Sequence, residues 1–222
     1  MEQLPAYISA VFILTAVLTV FLLYKAGNSL KSMMIIGLWL ALQAVIGLSG
    51  FYTVTTGTPP RFGLLLIPPV ILIIVQFLTK PGQRFIDSLD MKMLTLLHVV
   101  RIPVELTLYW LFLHKTVPQV MTFEGRNFDI LCGLTAPVIW YFGYVKNTIS
   151  QNLLLVWNVV CLLILANIVV TAVLSVPFSF QKFGFEQPNI ALFYFPFVWL
   201  PCAVVPIVLF AHLVSIRRLL KG

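Results

Sequence analysis

One segment gathers ionisable side chains in a chain that otherwise avoids them: MKMLTLLHVVRIPVELTLYWLFLHK, residues 91–115. His98, Arg101, Glu105 and Tyr109 fall at i, i+3, i+7 and i+11. On a helix they share one face, within an arc of roughly 80°. Arg101 and Glu105 are four apart, so the spacing predicts an ion pair along the helix. A carboxylate beside a guanidinium can gate a proton, and the guanidinium can hold an anion. Each charge costs about 2.5–3.5 kcal/mol near a bilayer centre, so this stripe must face a bundle interior or a wet cavity. Pro103 removes an N–H and frees the carbonyl of Val99 for Arg101 or a ligand. A purely structural pair that fixes helix packing obeys the same constraint, so both roles stay open.

A second polar group lies in MTFEGRNFDIL: Glu124, Arg126, Asn127 and Asp129. Gly125 allows a tight turn, and Asn127 or Asp129 can cap the next helix. The segment reads as a solvated loop with a cap, or as an outer gate above the helical stripe. His212 lies near Arg217 and Arg218, which suits a headgroup boundary. Were its helix to touch the one carrying His98, two imidazoles would meet. The spacing nevertheless predicts no metal and no haem, because His-x-x-x-His and Cys-His clusters are lacking. No cofactor is predicted. Asn158, Asn167, Gln43 and Gln76 read as hydrogen bonds between helices. Phe178, Phe180, Phe183 and Phe185, followed by Phe193, Tyr194, Phe195 and Trp199, read as an aromatic belt at the outer interface. A lateral lid for a lipid is the alternative. The sequence has no phosphate loop, no Gly-x-Ser-x-Gly elbow and no His-Glu-x-x-His helix.

The elements that must position these residues are membrane helices. The chain of 222 residues is 60% hydrophobic and 9% charged, where a soluble domain is about a quarter charged. Too few charges exist to cover a water-soluble surface, and lipid removes that need. A span takes about 20 apolar residues. The pattern predicts an all-α bundle of seven spans forming one domain: 5–24, 33–52, 62–79, 93–113, 128–146, 153–174 and 191–214. Breakers at 27–29, 56–61, 81–83 and 187–189 separate them. With the N-terminus outside, nine Lys and Arg residues fall inside and four outside, with Arg101 within a span. That bias predicts a multi-pass protein of the cell membrane with a cytoplasmic C-terminus. MEQLPAY lacks the basic region of a signal peptide, so the first span is expected to be a true helix. The net charge of +7 sits at helix ends, which points to topology and to no nucleic-acid partner. Cys132, Cys161 and Cys202 lie in apolar segments and suggest no disulfide framework.

An internal repeat is visible. PRFGLLLIPPVIL from Pro60 aligns with PNIALFYFPFVWL from Pro188, and Asn28-Ser29-Leu30 aligns with Asn147-Thr148-Ile149. This predicts two parallel triplets joined by the fourth helix. The three-one-three arrangement resembles that of the sugar transporters with PQ-loop repeats, and also that of microbial rhodopsins. The resemblance is architectural: Pro118-Gln119 lies in a loop, and no lysine stands between Leu192 and Val214 to hold a retinal. Parallel repeats in transporters imply a midplane site between halves. The leading expectation is a transporter-like bundle for a small solute or proton, with His98, Arg101, Glu105 and Tyr109 lining the path. The alternatives are an intramembrane enzyme acting on a lipid or isoprenoid, with Glu105 as acid or base, and a ligand-binding sensor or partner subunit. The expected partners are the lipid bilayer and a small-molecule or lipid ligand.

Overall fold

Apolar runs between capping residues become helices. In the computed structural model, residues 4–56 and 60–221 are described. Among them eight helices and no strand occur: α1 Ala6–Gly27, α2 Leu30–Leu48, α3 Gly63–Leu78, α4 Lys80–Ser88, α5 Met91–Leu113, α6 Asp129–Val145, α7 Gln151–Val173 and α8 Leu200–Lys221. Part of the predicted break at 56–61 lies outside the described residues. Side chains at the other breaks close the ends. Asn28 takes the left-handed conformation that ends α1, and Ser29 accepts from Ser32 N at 3.2 Å to start α2. Asp90 accepts from Lys92 N at 2.8 Å before α5, and Ser150 accepts from Leu153 N at 3.3 Å before α7.

Five helices, α1, α2, α5, α7 and α8, are long and apolar enough to cross a membrane. A sixth crossing is formed if α3 and α4 count as one, although they meet at 91°. Helix α6 is a shorter apolar helix of 17 residues, with its last five in π form. The charged segment 80–92 around the expected break at 81–83 is therefore helical in its first part. Thr79 accepts from Gly82 N at 3.3 Å, and Pro81 lies in the first turn, where its missing N–H costs nothing. Gly82 is needed at this corner, because a Cβ there would run into the backbone of Gln76.

The exterior belongs in lipid. Leu14 is 68%, Leu38 70% and Leu163 65% exposed, on three different helices. Apolar surface of that extent does not persist in water on a monomer. Contacts at the ends define two faces. Tyr7 packs on Trp110, Asn167 donates to Arg126 O at 2.9 Å, and Ile190 N reaches Thr116 O, which marks an N-terminal face. Asp90 N bonds Ala26 O, Arg217 pairs with Asp87 at 2.5 Å, and Arg218 bonds Leu89 O, which marks a C-terminal face.

Two expectations need correction. The last helix was expected from residue 191 but begins at Leu200. The run 191–199 is a 3-10 turn followed by tight turns, and Phe193, Phe197 and Val198 in it are buried. The segment is apolar because it plugs the mouth of the bundle, not because it spans; an apolar run alone does not separate the two. For the same reason the Phe-rich loop is no simple belt. Phe178 is buried against Phe193, with centroids 6.0 Å apart, while Phe185 is 73% exposed. The repeat segments also differ locally, since Pro68 sits inside α3 and Pro196 sits in the turns before α8. Its other anchor does correspond: Asn28 and Asn147 both have positive φ, at 46° and 52°.

Candidate functional site

Helix α5 tightens to a 3-10 turn at His98–Val100, just before Pro103. The missing N–H of the proline removes the regular bond to Val99, and the turn contracts. His98, Arg101 and Glu105 all project into the bundle, at 0%, 2% and 1% exposure. Tyr109 does not join them. It is half-buried against Phe123, centroids 4.8 Å apart, nearer the N-terminal face.

The predicted Arg101–Glu105 pair is not formed. Arg101 Nε instead makes an ion pair with Asp129 Oδ2 at 2.8 Å. Its Nη2 donates to Cys161 O at 3.2 Å, and its Nη1 bonds His212 Nε2 at 3.1 Å. Glu105 Oε1 accepts from Asn127 Nδ2 at 2.6 Å. The same amide donates to Met121 O at 3.0 Å, while Asn127 Oδ1 accepts from Asp129 N at 3.0 Å. Asn127 thus links both carboxylate-bearing elements. The geometry follows from the connection before α6, which folds inward: Met121, Thr122 and Asn127 are buried, and α6 begins inside the bundle. Asp129 in its first turn meets the positive end of the helix dipole as well as Arg101. Close packing of α5 on α6 depends on Gly133, whose missing Cβ would stand 3.2 Å from Arg101 Cβ and 2.9 Å from Ile102 Cγ1. Of the other loop residues singled out, Glu124 and Arg126 are exposed and lie apart from this cluster.

His212 is not a boundary residue. It is fully buried and stacks on His98, with centroids 3.8 Å apart and planes 15° apart, beside Trp157. His212 Nδ1 lies 3.0 Å from Asn158 Oδ1, and Asn158 Nδ2 donates to Leu154 O at 2.9 Å. Because Arg101 can only donate, His212 Nε2 accepts and Nδ1–H donates to Asn158. The network thereby selects the Nδ1–H tautomer. Stacked rings point their nitrogens side by side rather than at a common centre, which does not suit joint ligation of one metal. Neither nitrogen of His98 has a protein partner.

Among the described residues, Glu105 and Asp129 are the only polar side chains lining a cavity of about 60 Å³ between α3, α5, α7 and α8. That is room for a few waters. Glu105 Oε2 and Asp129 Oδ1 have no protein partner. Two carboxylates face one guanidinium, so the cluster has place for one more positive charge. No group of three or more metal-ligating side chains occurs among the described residues. A larger cleft of about 280 Å³ opens between α2 and α3 with α8 as its floor. Trp39, Ser32, Gln76 and Cys202 are the polar exceptions in its apolar lining, and it holds no acidic or basic side chain. Pro206 leaves Cys202 O without its helical donor, and Trp39 Nε1 supplies one at 3.0 Å.

Sequence reasoning found His98, Arg101, Glu105 and Asp129 but missed Asn127 as the bridge, and Asn158 and His212 as members of the network. Only a buried asparagine or histidine on an apolar helix could have signalled them, and that signal is weak. No family model, no curated protein and no solved structure matches the chain.

Proposed function

We propose that the chain is a seven-span protein of the cell membrane, with α4 lying along the cytoplasmic surface, and that it works as a transporter-like bundle. Its site takes a proton or a small cation at Glu105 and Asp129. The observation that carries the reading is the pair of buried, unpartnered carboxylate oxygens on two residues that line one cavity, balanced by a single arginine. A structural pair needs no cavity and leaves no acceptor unused. Orientation follows the basic residues: Lys25, Lys31, Lys80, Arg84, Lys92, Lys146, Arg217, Arg218 and Lys221 lie toward the C-terminal face, which is then cytoplasmic. Lipid-directed chemistry is less well supported. The cleft that would fit a hydrocarbon chain does not contain Glu105.

The test is stability against ligand. Purified protein is unfolded thermally across a series of Li⁺, Na⁺ and K⁺ concentrations and across pH. A species that binds the folded site raises the midpoint by mass action, about 2.7 kcal/mol at a hundredfold excess over Kd. The expected result is a rise with one species that Glu105→Gln and Asp129→Asn remove. A wild-type response identical to that of both variants overturns the reading.

A further inference from the structure

The buried polar atoms without partners are not scattered. Among the described residues, apart from Asn189 Oδ1 at the N-terminal face and Arg101 Nε, which is held by its ion pair with Asp129, the groups without a hydrogen-bond partner are Glu105 Oε2, Asp129 Oδ1, both nitrogens of His98, Tyr144 OH and Ser215 Oγ. They fall in one column along α5, α6 and α8. Ser215 is one turn beyond His212 toward the C-terminal face and is 0% exposed. Thr95 is one turn beyond His98 in the same direction, and Tyr144 lies beside Thr95. Asp90 and Arg218, at the surface, stand near Tyr144. On the other side of the carboxylates the picture reverses. Leu108, Leu111, Val117 and Met121 are all 0–2% exposed and seal the cavity toward the N-terminal face. Asn127 spends its amide on Glu105 and Met121 O, so it offers no relay.

We propose that the species bound at the carboxylates is a proton, and that it arrives from the C-terminal face by way of Ser215, Tyr144 and His98. This rests on the reading of Glu105 and Asp129 as the site. The transfer balances without any other reactant than water. A hydronium-side proton joins one nitrogen of His98 while the opposite N–H releases its own toward the site, so the ring ends neutral and the carboxylate becomes a carboxylic acid. His98 and Glu105 are seven residues apart, about 10 Å along the helix, and His98 does not line the cavity, so the last hop requires water that enters between the ring and the cavity as well as water within it. Arg101 is not a link, because a guanidinium does not release its protons. His212 is not one either: Arg101 and Asn158 occupy both its nitrogens. The charged and titratable groups facing the column are His98, Arg101 and Glu105 from α5, Asp129, Cys132 and Tyr144 from α6, Cys161 from α7, and His212 from α8, with Arg218 of α8 and Asp90, before α5, near Tyr144 at its C-terminal end; Asn127 precedes α6.

The experiment is hydrogen–deuterium exchange of the carboxylic acid carbonyl stretch, followed by infrared spectroscopy in lipid nanodiscs. Glu105→Gln and Asp129→Asn assign the band. After a switch to D₂O, Ser215→Ala, Tyr144→Phe and His98→Phe should each slow its shift about tenfold or more. Ser215→Ala and Tyr144→Phe keep the side-chain volume nearly constant; the phenyl ring in His98→Phe is larger than the imidazole but can still stack on His212. His114→Phe, near the N-terminal face, should leave the rate unchanged. If the band is present and the three variants exchange at the wild-type rate, the path is overturned and the site stands. If no carboxylic acid band depends on Glu105 or Asp129 at any accessible pH, the proton assignment is overturned. The cation series then decides the site by itself.

Discussion

The pairing of Arg101 with Asp129 rather than Glu105 makes a quantitative prediction. Both side chains of the observed pair are nearly inaccessible, at 2% and 6% exposure, with 2.8 Å between charged atoms. Cutting a buried pair on one side strands a charge and costs about 3–5 kcal/mol. Arg101→Met and Asp129→Leu should each do so. The double variant strands neither charge. It loses the donor to His212 Nε2, worth about 1–3 kcal/mol for a buried unsatisfied group. Additivity would demand about 6–10 kcal/mol from the double variant, so the coupling is about 3 kcal/mol or more. Arg101→Met combined with Glu105→Gln should couple less, since those side chains share no contact. The assay is reversible unfolding by SDS in mixed micelles, read by the fluorescence of the five tryptophans. Additivity of Arg101 with Asp129 to within about 0.5 kcal/mol would refute the reasoning, as would a larger coupling to Glu105.

Two further outcomes follow from the same contacts. Gly133→Ala places a methyl against Arg101 Cβ and Ile102, so it should destabilise by about 1–3 kcal/mol in the SDS titration, whereas Gly37→Ala, with open space around it, should not. Asn127→Ala removes the donor to Glu105 and the acceptor for Asp129 N; the expected loss is about 1–3 kcal/mol, against under about 0.5 kcal/mol for Tyr109→Phe in the same assay.

Where the sequence was legible, the reason was periodicity. The stripe of α5 shows in spacing alone, and a bilayer forces its charges inward whatever their role. The boundary between the first two helices was legible because Asn28 and Ser29, within the expected break at 27–29, close it by local bonds, whereas the caps at Asp90 and Ser150 were not singled out. What was not legible depended on long-range folding. Asp129 looked like a solvated cap because it follows the polar, turn-forming run Glu124-Gly125-Arg126-Asn127, and nothing local reveals that Asn127 turns inward. Arg101 had two acidic candidates, four residues away in sequence and 28 away; helical spacing favoured the nearer, and the packing of α6 on α5 at Gly133 delivered the farther. The stretch 191–199 failed for the opposite reason: its hydrophobicity was real, and only its conformation was misread.

The distinction between structural glue and a working site rests on polar bookkeeping within one molecule. Tyr52 donates to Gln43 at 2.6 Å, Trp199 Nε1 to Leu40 O at 2.9 Å, and Asn167 to Arg126 O at 2.9 Å. Each of these holds elements together, and none of these donors or acceptors is left over, as expected where an unmet group in lipid surroundings costs several kcal/mol. The column from Ser215 to Asp129 breaks that rule repeatedly, although Ser215, His98, Glu105 and Asp129 in it are buried. A fold able to satisfy the hydroxyl of Tyr52 and the indole N–H of Trp199 had no chemical obstacle to satisfying Glu105 Oε2 or His98. Leaving those atoms without protein partners is costly unless water, a proton or a cation meets them. The residues around them are also those whose helices depart from regular geometry, the 3-10 turn at His98–Val100 and the π turns at Tyr141–Val145 and Leu200–Val204. Such departures concentrate at functional sites. Both observations support the proposal that puts the chemistry of this protein in the column rather than in its larger cleft, whose lining is mostly apolar and carries no charged side chain.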